Sequence, residues 1–106
     1  MIPFNDFKKL DIRVGRVLDV NPHPKADKLL VLKIDIGDEV RTIVAGIKNY
    51  YEREELMDKK VIVITNLEQK ELRGIKSEGM ILAAVKDDKV VLLTPDEAIE
   101  EGANIQ

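Results

Sequence analysis

Lys25 and Lys28 share the polar run Asn21-Pro22-His23-Pro24-Lys25-Ala26-Asp27-Lys28, and Lys70, Arg73 and Lys76 crowd the run Asn66–Met80 beside the chain's only serine, Ser77. Ammonium and guanidinium groups pair with phosphates, and short polar side chains beside them hydrogen-bond sugar or backbone. A second chemistry is conceivable, because Ser77, the lone His23 and Asp27 are the residue types of a hydrolytic triad. Nothing in the spacing supports it: no nucleophile elbow surrounds Ser77 and no oxyanion loop is evident. Ser77 then satisfies a backbone turn or contacts a ligand phosphate. One histidine and no cysteine leave no zinc set, Asp87-Asp88 reads as a solvated turn, and the six glycines are scattered rather than gathered into a phosphate loop. The expectation is a chain with no catalytic residue, no metal and no cofactor.

Composition agrees with a binding role and bounds it. The 106 residues, 44% of them hydrophobic, suit a single domain spanning 1–106 with one core. No apolar run approaches the length of a membrane span, and no basic-then-apolar leader opens the chain. A cysteine-free chain fits a reducing cytoplasm. The charged fraction of 35%, rich in Lys and Glu, is the pattern of proteins built for high temperature. The formal charge of −3 sits awkwardly with nucleic acid, so any such surface must be a local basic patch on an acidic protein.

The elements that must hold these loops are legible in the apolar spacing. Phe4, Phe7 and Leu10 recur at helical spacing within Pro3–Leu10. Ile12–Val20 is rich in β-branched residues, and alternation puts Ile12, Val14, Leu18 and Val20 on one face, which also aims Arg16 inward beside Gly15 and predicts a bulge there. Leu29–Ile36 alternates Leu32, Ile34 and Ile36 against Lys33 and Asp35, and Gly37-Asp38 turns it into Val40–Ala45. Glu52–Met57 reads as a short helix, Val61–Thr65 as a buried strand, and Met80–Val85 and Val90–Leu93 as strands joined through Asp87-Asp88. The run between Val61–Thr65 and Met80–Val85 is long for a hairpin, and loops of that length are usually functional or disordered. Three strands, a helix and two more strands, with terminal extensions, is the layout of an all-β, five-stranded OB-fold barrel, whose loops grip oligonucleotides.

The aromatic inventory separates two modes of nucleic-acid binding. Single-strand binders stack bases on rings spread over the barrel face. Here only Phe4, Phe7, Tyr50 and Tyr51 exist, none in a sheet strand. The phenylalanines are placed to fill hydrophobic contacts, and the tyrosines are core or rim. Lys25, Lys28, Lys70, Arg73 and Lys76 with so little aromatic area suit a folded RNA read by shape.

Several motifs then occur in one order: Phe7-Lys8-Lys9-Leu10-Asp11-Ile12-Arg13-Val14-Gly15, His23-Pro24-Lys25-Ala26-Asp27-Lys28-Leu29, Arg41-Thr42-Ile43-Val44-Ala45-Gly46, Leu72-Arg73-Gly74 and Ser77-Glu78-Gly79-Met80. Over nearly its whole length the chain resembles the tRNA-binding domain family, found at the C-terminus of bacterial methionyl-tRNA synthetases, as free-standing structure-specific tRNA-binding proteins, and in eukaryotic synthetase-associated cofactors. The resemblance implies non-catalytic binding of tRNA by shape, in the cytoplasm, in support of a methionyl-tRNA synthetase catalytic subunit. It also implies a homodimer built from the chain ends, for which Phe4, Phe7, Leu10, Val90–Leu93 and the tail are the candidates here; capping of the barrel end is their alternative use. A chain that starts with Met and holds only this domain looks like a separate synthetase beta subunit, as in archaea.

Carried over by position, the resemblance implies an RNA-facing set of Lys28, Asn49, Lys70, Arg73, Ser77 and Met80. Lys28, Lys70 and Arg73 would pair with phosphates, Asn49 and Ser77 would hydrogen-bond backbone or sugar, and Met80 would give apolar contact or pack into the core. His23, between two prolines, shapes its loop. Where members commonly read Leu-Lys-Pro-Ala-Lys, this chain has Leu67-Glu68-Gln69-Lys70-Glu71, which makes the long loop less basic and, on this reading, mobile. A branch of the same family looks like a dimeric peptide-binding export chaperone, and an acidic chain would suit that alternative; a pure dimerisation subunit is a third.

Overall fold

In the computed structural model, which describes residues 1–106, one long strand organises the sheet. β1 (Ile12–Pro22) pairs antiparallel with β2 (Leu30–Asp35) along its second half and with β4 (Lys60–Ile64) along its first. β3 (Val40–Ala45) flanks β2, and the short β7 (Met80–Ile81) flanks β4, so the order is β3-β2-β1-β4-β7. This five-stranded antiparallel sheet is nearly closed into a barrel, with α2 (Arg53–Leu56) between the third and fourth strands as the sequence predicts. Glu52 and Glu55 cap α2 reciprocally, and Leu56 seals the core at no exposure.

The core is filled by the alternating residues of the strands. Leu32, Ile34 and Ile36 enter it from β2 and the residue beyond, Ile43 from β3, and Val61 and Val63 from β4. Burying each such side chain contributes about 1.5–3 kcal/mol relative to exposure. Gly15 is required where β1 crosses this layer: a Cβ there would lie 2.6 Å from Ile34 Cγ2 and 3.0 Å from Val63 Cγ2.

The face assignment within β1 is corrected. Ile12 and Val14 join Ile62 in a separate outer cluster, under Leu82, Ala103 and Ile105, while Val17 and Val20 enter the core. The predicted bulge falls after Val17, not at Gly15-Arg16. Arg16 therefore points away from the core and bonds Asp58 at 3.0 Å. The tail makes both faces of β1 apolar, so alternation alone selected the wrong one. It docks by hydrogen bonds along the edge of β1 that β2 leaves free: Val14 N–H to Ala103 O at 2.9 Å and Ile105 N–H to Ile12 O at 2.9 Å.

The run from Asn66 to Met80, read as a mobile loop, holds a β-hairpin instead. β5 (Lys70–Leu72) and β6 (Ile75–Ser77) pair through a two-residue turn in which Arg73 (φ 51°) and Gly74 (φ 93°) are both left-handed. Positive φ at both central residues matches the twist of the flanking strands. The apolar run expected as one strand over Met80–Val85 breaks at Leu82 into β7 and β8 (Ala83–Lys86), and β8 forms its own hairpin with β9 (Lys89–Leu92). At the other end, α1 (Phe4–Phe7) buries nothing: Phe4 stacks on Phe7 with ring centres 6.4 Å apart, and both are exposed. Tyr51 packs, half-buried, against the core and its hydroxyl accepts the Leu92 N–H at 3.0 Å, while Tyr50 is exposed.

Candidate nucleic-acid interface

The first basic loop is built around His23, which is buried at 5% exposure between Pro22 and Pro24. Its Nδ1 accepts the Lys25 N–H at 3.0 Å, and its Nε2 lies 2.9 Å from the Leu72 carbonyl of the hairpin. This brings the loop against the hairpin tip. A shallow cleft of about 460 Å³ opens between them, lined by Lys25, Ala26, Asp27, Lys28, Leu29 and Arg73. Three cations face one carboxylate there, so the cleft is positive on a chain whose net charge is −3. The backbone N–H of Lys48, the residue before the exposed Asn49, reaches Lys28 O at 3.4 Å.

A second depression, a groove of about 350 Å³, lies between the hairpin, β3 and β7. Lys70, Leu72 and Met80 line it, and Ser77 forms part of its wall. Met80 is exposed at 52%, so it serves the groove and not the core. Ser77 is buried at 5%: its Oγ accepts the Val44 N–H at 3.0 Å and donates to Gly79 O at 3.0 Å. Of the six residues singled out from the sequence, the structure thus brings Lys28 and Arg73 to the cleft and Lys70, Met80 and Ser77 to the groove, while Asn49 is exposed and lines neither. The hairpin separates the two sets.

The arginines of the barrel strands and of α2 are engaged with carboxylates. Arg13 holds Asp11 and Asp38 at 2.8 Å each, Arg16 holds Asp58, Arg53 holds Asp19, and Lys60 and Arg16 share Glu101. The Arg13 hydrogen bond holds the Asp11 carboxyl below its usual range, and the Lys60 hydrogen bond holds Glu101 down at about 2. Lys25, Lys28, Lys70, Arg73 and Lys76 enter no ion pair. The paired arginines brace the barrel, and the loop cations stay open to an external anion.

Sequence reasoning assigned no role to Arg41 and Glu78, which close the barrel. Glu78 N–H donates to Thr42 O at 2.8 Å, its Oε1 accepts the Thr42 N–H at 2.8 Å, and Arg41 Nη1 reaches Thr65 O and Glu78 O at 2.9 Å each. These bonds satisfy edge-strand groups that no β-ladder pairs. The signal was a charged residue, Arg41, inside an otherwise β-prone run.

Residues 12–104 match the family model described as "Putative tRNA binding domain". The chain belongs to this tRNA-binding domain family. Among curated relatives of this family member, the methionine–tRNA ligase of Pyrococcus abyssi is 54% identical over 105 residues, and that of Archaeoglobus fulgidus 52% over 104. The alignments cover 99% and 98% of this chain but only 14% and 16% of those ligases. Solved structures of similar shape include a MetRS related protein from Pyrococcus horikoshii (TM-score 0.93, 36% identity, 100% of this chain and 98% of that one). Another is the CsaA chaperone protein from Picrophilus torridus (TM-score 0.92, 40% identity, 100% of both chains).

Proposed function

We propose that this tRNA-binding domain is a non-catalytic module that binds folded tRNA by shape and serves a methionine–tRNA ligase in the cytoplasm. The observation that carries the reading is the convergence of Lys25, Lys28 and Arg73, none of them paired with a carboxylate, on one cleft from two separate loops. Lys28, Arg73 and Lys70 contact phosphates, Asn49 contacts sugar or backbone, and Met80 packs on the apolar part of the RNA. Ser77, with its hydroxyl engaged on both sides, acts from beneath by holding the hairpin that carries the cations. A sparse aromatic surface and phosphate-directed cations favour shape over base readout. The module raises the local concentration of tRNA for the ligase, an avidity effect that needs no chemistry of its own. It works as a homodimer through the exposed Phe4, Phe7 and Leu10, whose apolar surface continues to Ile105 in a common depression.

A second reading is supported by the likeness to CsaA chaperone proteins and by the mostly apolar groove: binding of unfolded peptide. Arg73→Ala separates the two. Titration of bulk tRNA by gel shift loses affinity in that variant on the tRNA reading. Peptide binding that survives Arg73→Ala, with no tRNA shift from the unchanged chain, contradicts it.

A further inference from the structure

The tip of the hairpin is tied to the rest of the chain by a single hydrogen bond, between His23 Nε2 and Leu72 O, and an added Cβ at the neighbouring Gly74 would touch nothing within 4 Å. We propose that His23 is the positioning residue of the cationic cleft: its imidazole sets the spacing between Lys25 and Lys28 on one loop and Arg73 on the other. The inference rests on the tRNA reading above and adds to it a residue that touches no RNA.

The chemistry of the two bonds fixes the ring's state. The Lys25 amide can only donate and the Leu72 carbonyl can only accept, so Nδ1 must carry a lone pair and Nε2 the proton. One neutral ring thereby holds the backbone of Lys25 itself and of the residue preceding Arg73. The flanking Pro22 and Pro24 each lock their own φ, which aims the ring before any partner arrives. Something must do this work, because three like charges around one cleft repel, and a two-stranded hairpin is marginal alone. The far end of the hairpin is secured through Ser77 and Val44, so the tip is the part left for His23 to hold.

Two substitutions split the two bonds. His23→Asn keeps an acceptor for the Lys25 amide, as Asx turns do, but is too short to reach Leu72. His23→Gln places an amide N–H near the old Nε2 and can keep the Leu72 bond. Gel-shift titration of tRNA is expected to show His23→Asn weakened by about three- to tenfold, the factor of one lost hydrogen bond, and His23→Gln close to the parent. The loss from Arg73→Ala should shrink in the His23→Asn background, because the arginine is then already misplaced. Amide exchange at Leu72 and Ile75 should quicken in His23→Asn while the core strands stay protected.

Unchanged affinity in His23→Asn, an equal loss in both variants, or full additivity with Arg73→Ala overturns the inference while leaving the tRNA reading intact. A parent chain that binds no tRNA overturns that reading, and the amide-exchange arm still decides whether His23 holds the tip. Should His23→Asn fail to fold, long-range ¹⁵N–¹H spectra of the parent ring decide: a proton on Nε2 supports the assignment and one on Nδ1 overturns it.

Discussion

The hydroxyl of Ser77 accepts the backbone N–H of Val44 at 3.0 Å, joining the last residue of the β5–β6 hairpin to the edge strand β3. That edge has no complete β-ladder toward β7, so the hydroxyl stands in for a backbone carbonyl. The same contact carries the hairpin, and with it Lys70 and Arg73, on the rim of the barrel.

Ser77→Ala leaves a buried amide without a partner. Stability should fall by about 1–3 kcal/mol, seen as a lower urea midpoint at unchanged m-value. A variant as stable as the parent would contradict the structural role given to the hydroxyl.

Glu101 links the tail to Lys60 and Arg16, and its carboxyl is held at about 2, below the ordinary 4.5, chiefly by the Lys60 hydrogen bond. Its contribution is therefore present above the unfolded value and lost as pH falls toward about 2. Asp11, lowered chiefly by Arg13, acts in the same direction. Urea midpoints measured from neutral pH downward should decline through that acid window, and Glu101→Gln should flatten the decline. An identical slope in the variant would show that the pair adds nothing.

Phe4 at 69% and Phe7 at 43% exposure form an apolar projection that the single chain leaves uncovered. A charge placed there, as in Phe4→Asp/Phe7→Asp, should yield monomers in sedimentation velocity at concentrations where the parent sediments as a dimer. Parent chains that are monomeric at every concentration would remove the dimer from the account.

Much of the barrel could be read from spacing because its strands bury one face. Leu32, Ile34 and Ile36 alternate cleanly, Gly37-Asp38 marks the following turn, and the acidic start of Glu52–Met57 marks the helix. β1 misled because the tail covers Ile12 and Val14 on its outer side, a contact formed across most of the chain's length. The hairpin at Arg73-Gly74 escaped notice because arginine in a left-handed turn is not a strong local signal, and tertiary contact through His23 and Ser77 supports it. Of the candidate site, the cationic loops were visible as composition, but that His23 brings them together was not, since nothing local links residue 23 to residue 72. Likewise, the burial of Ser77 follows from the barrel closing, which no sequence window reports.

The most direct test is the salt dependence of tRNA binding by the parent chain and by Lys28→Ala/Arg73→Ala. Phosphate contacts from Lys28, Arg73 and Lys70 predict that log affinity falls with log salt at a slope of about 2–3, and the double variant should lose about 1.4–1.8 of it. No binding by the folded parent at low salt, or a double variant with the parent's slope and affinity, would contradict a tRNA interface at this cleft.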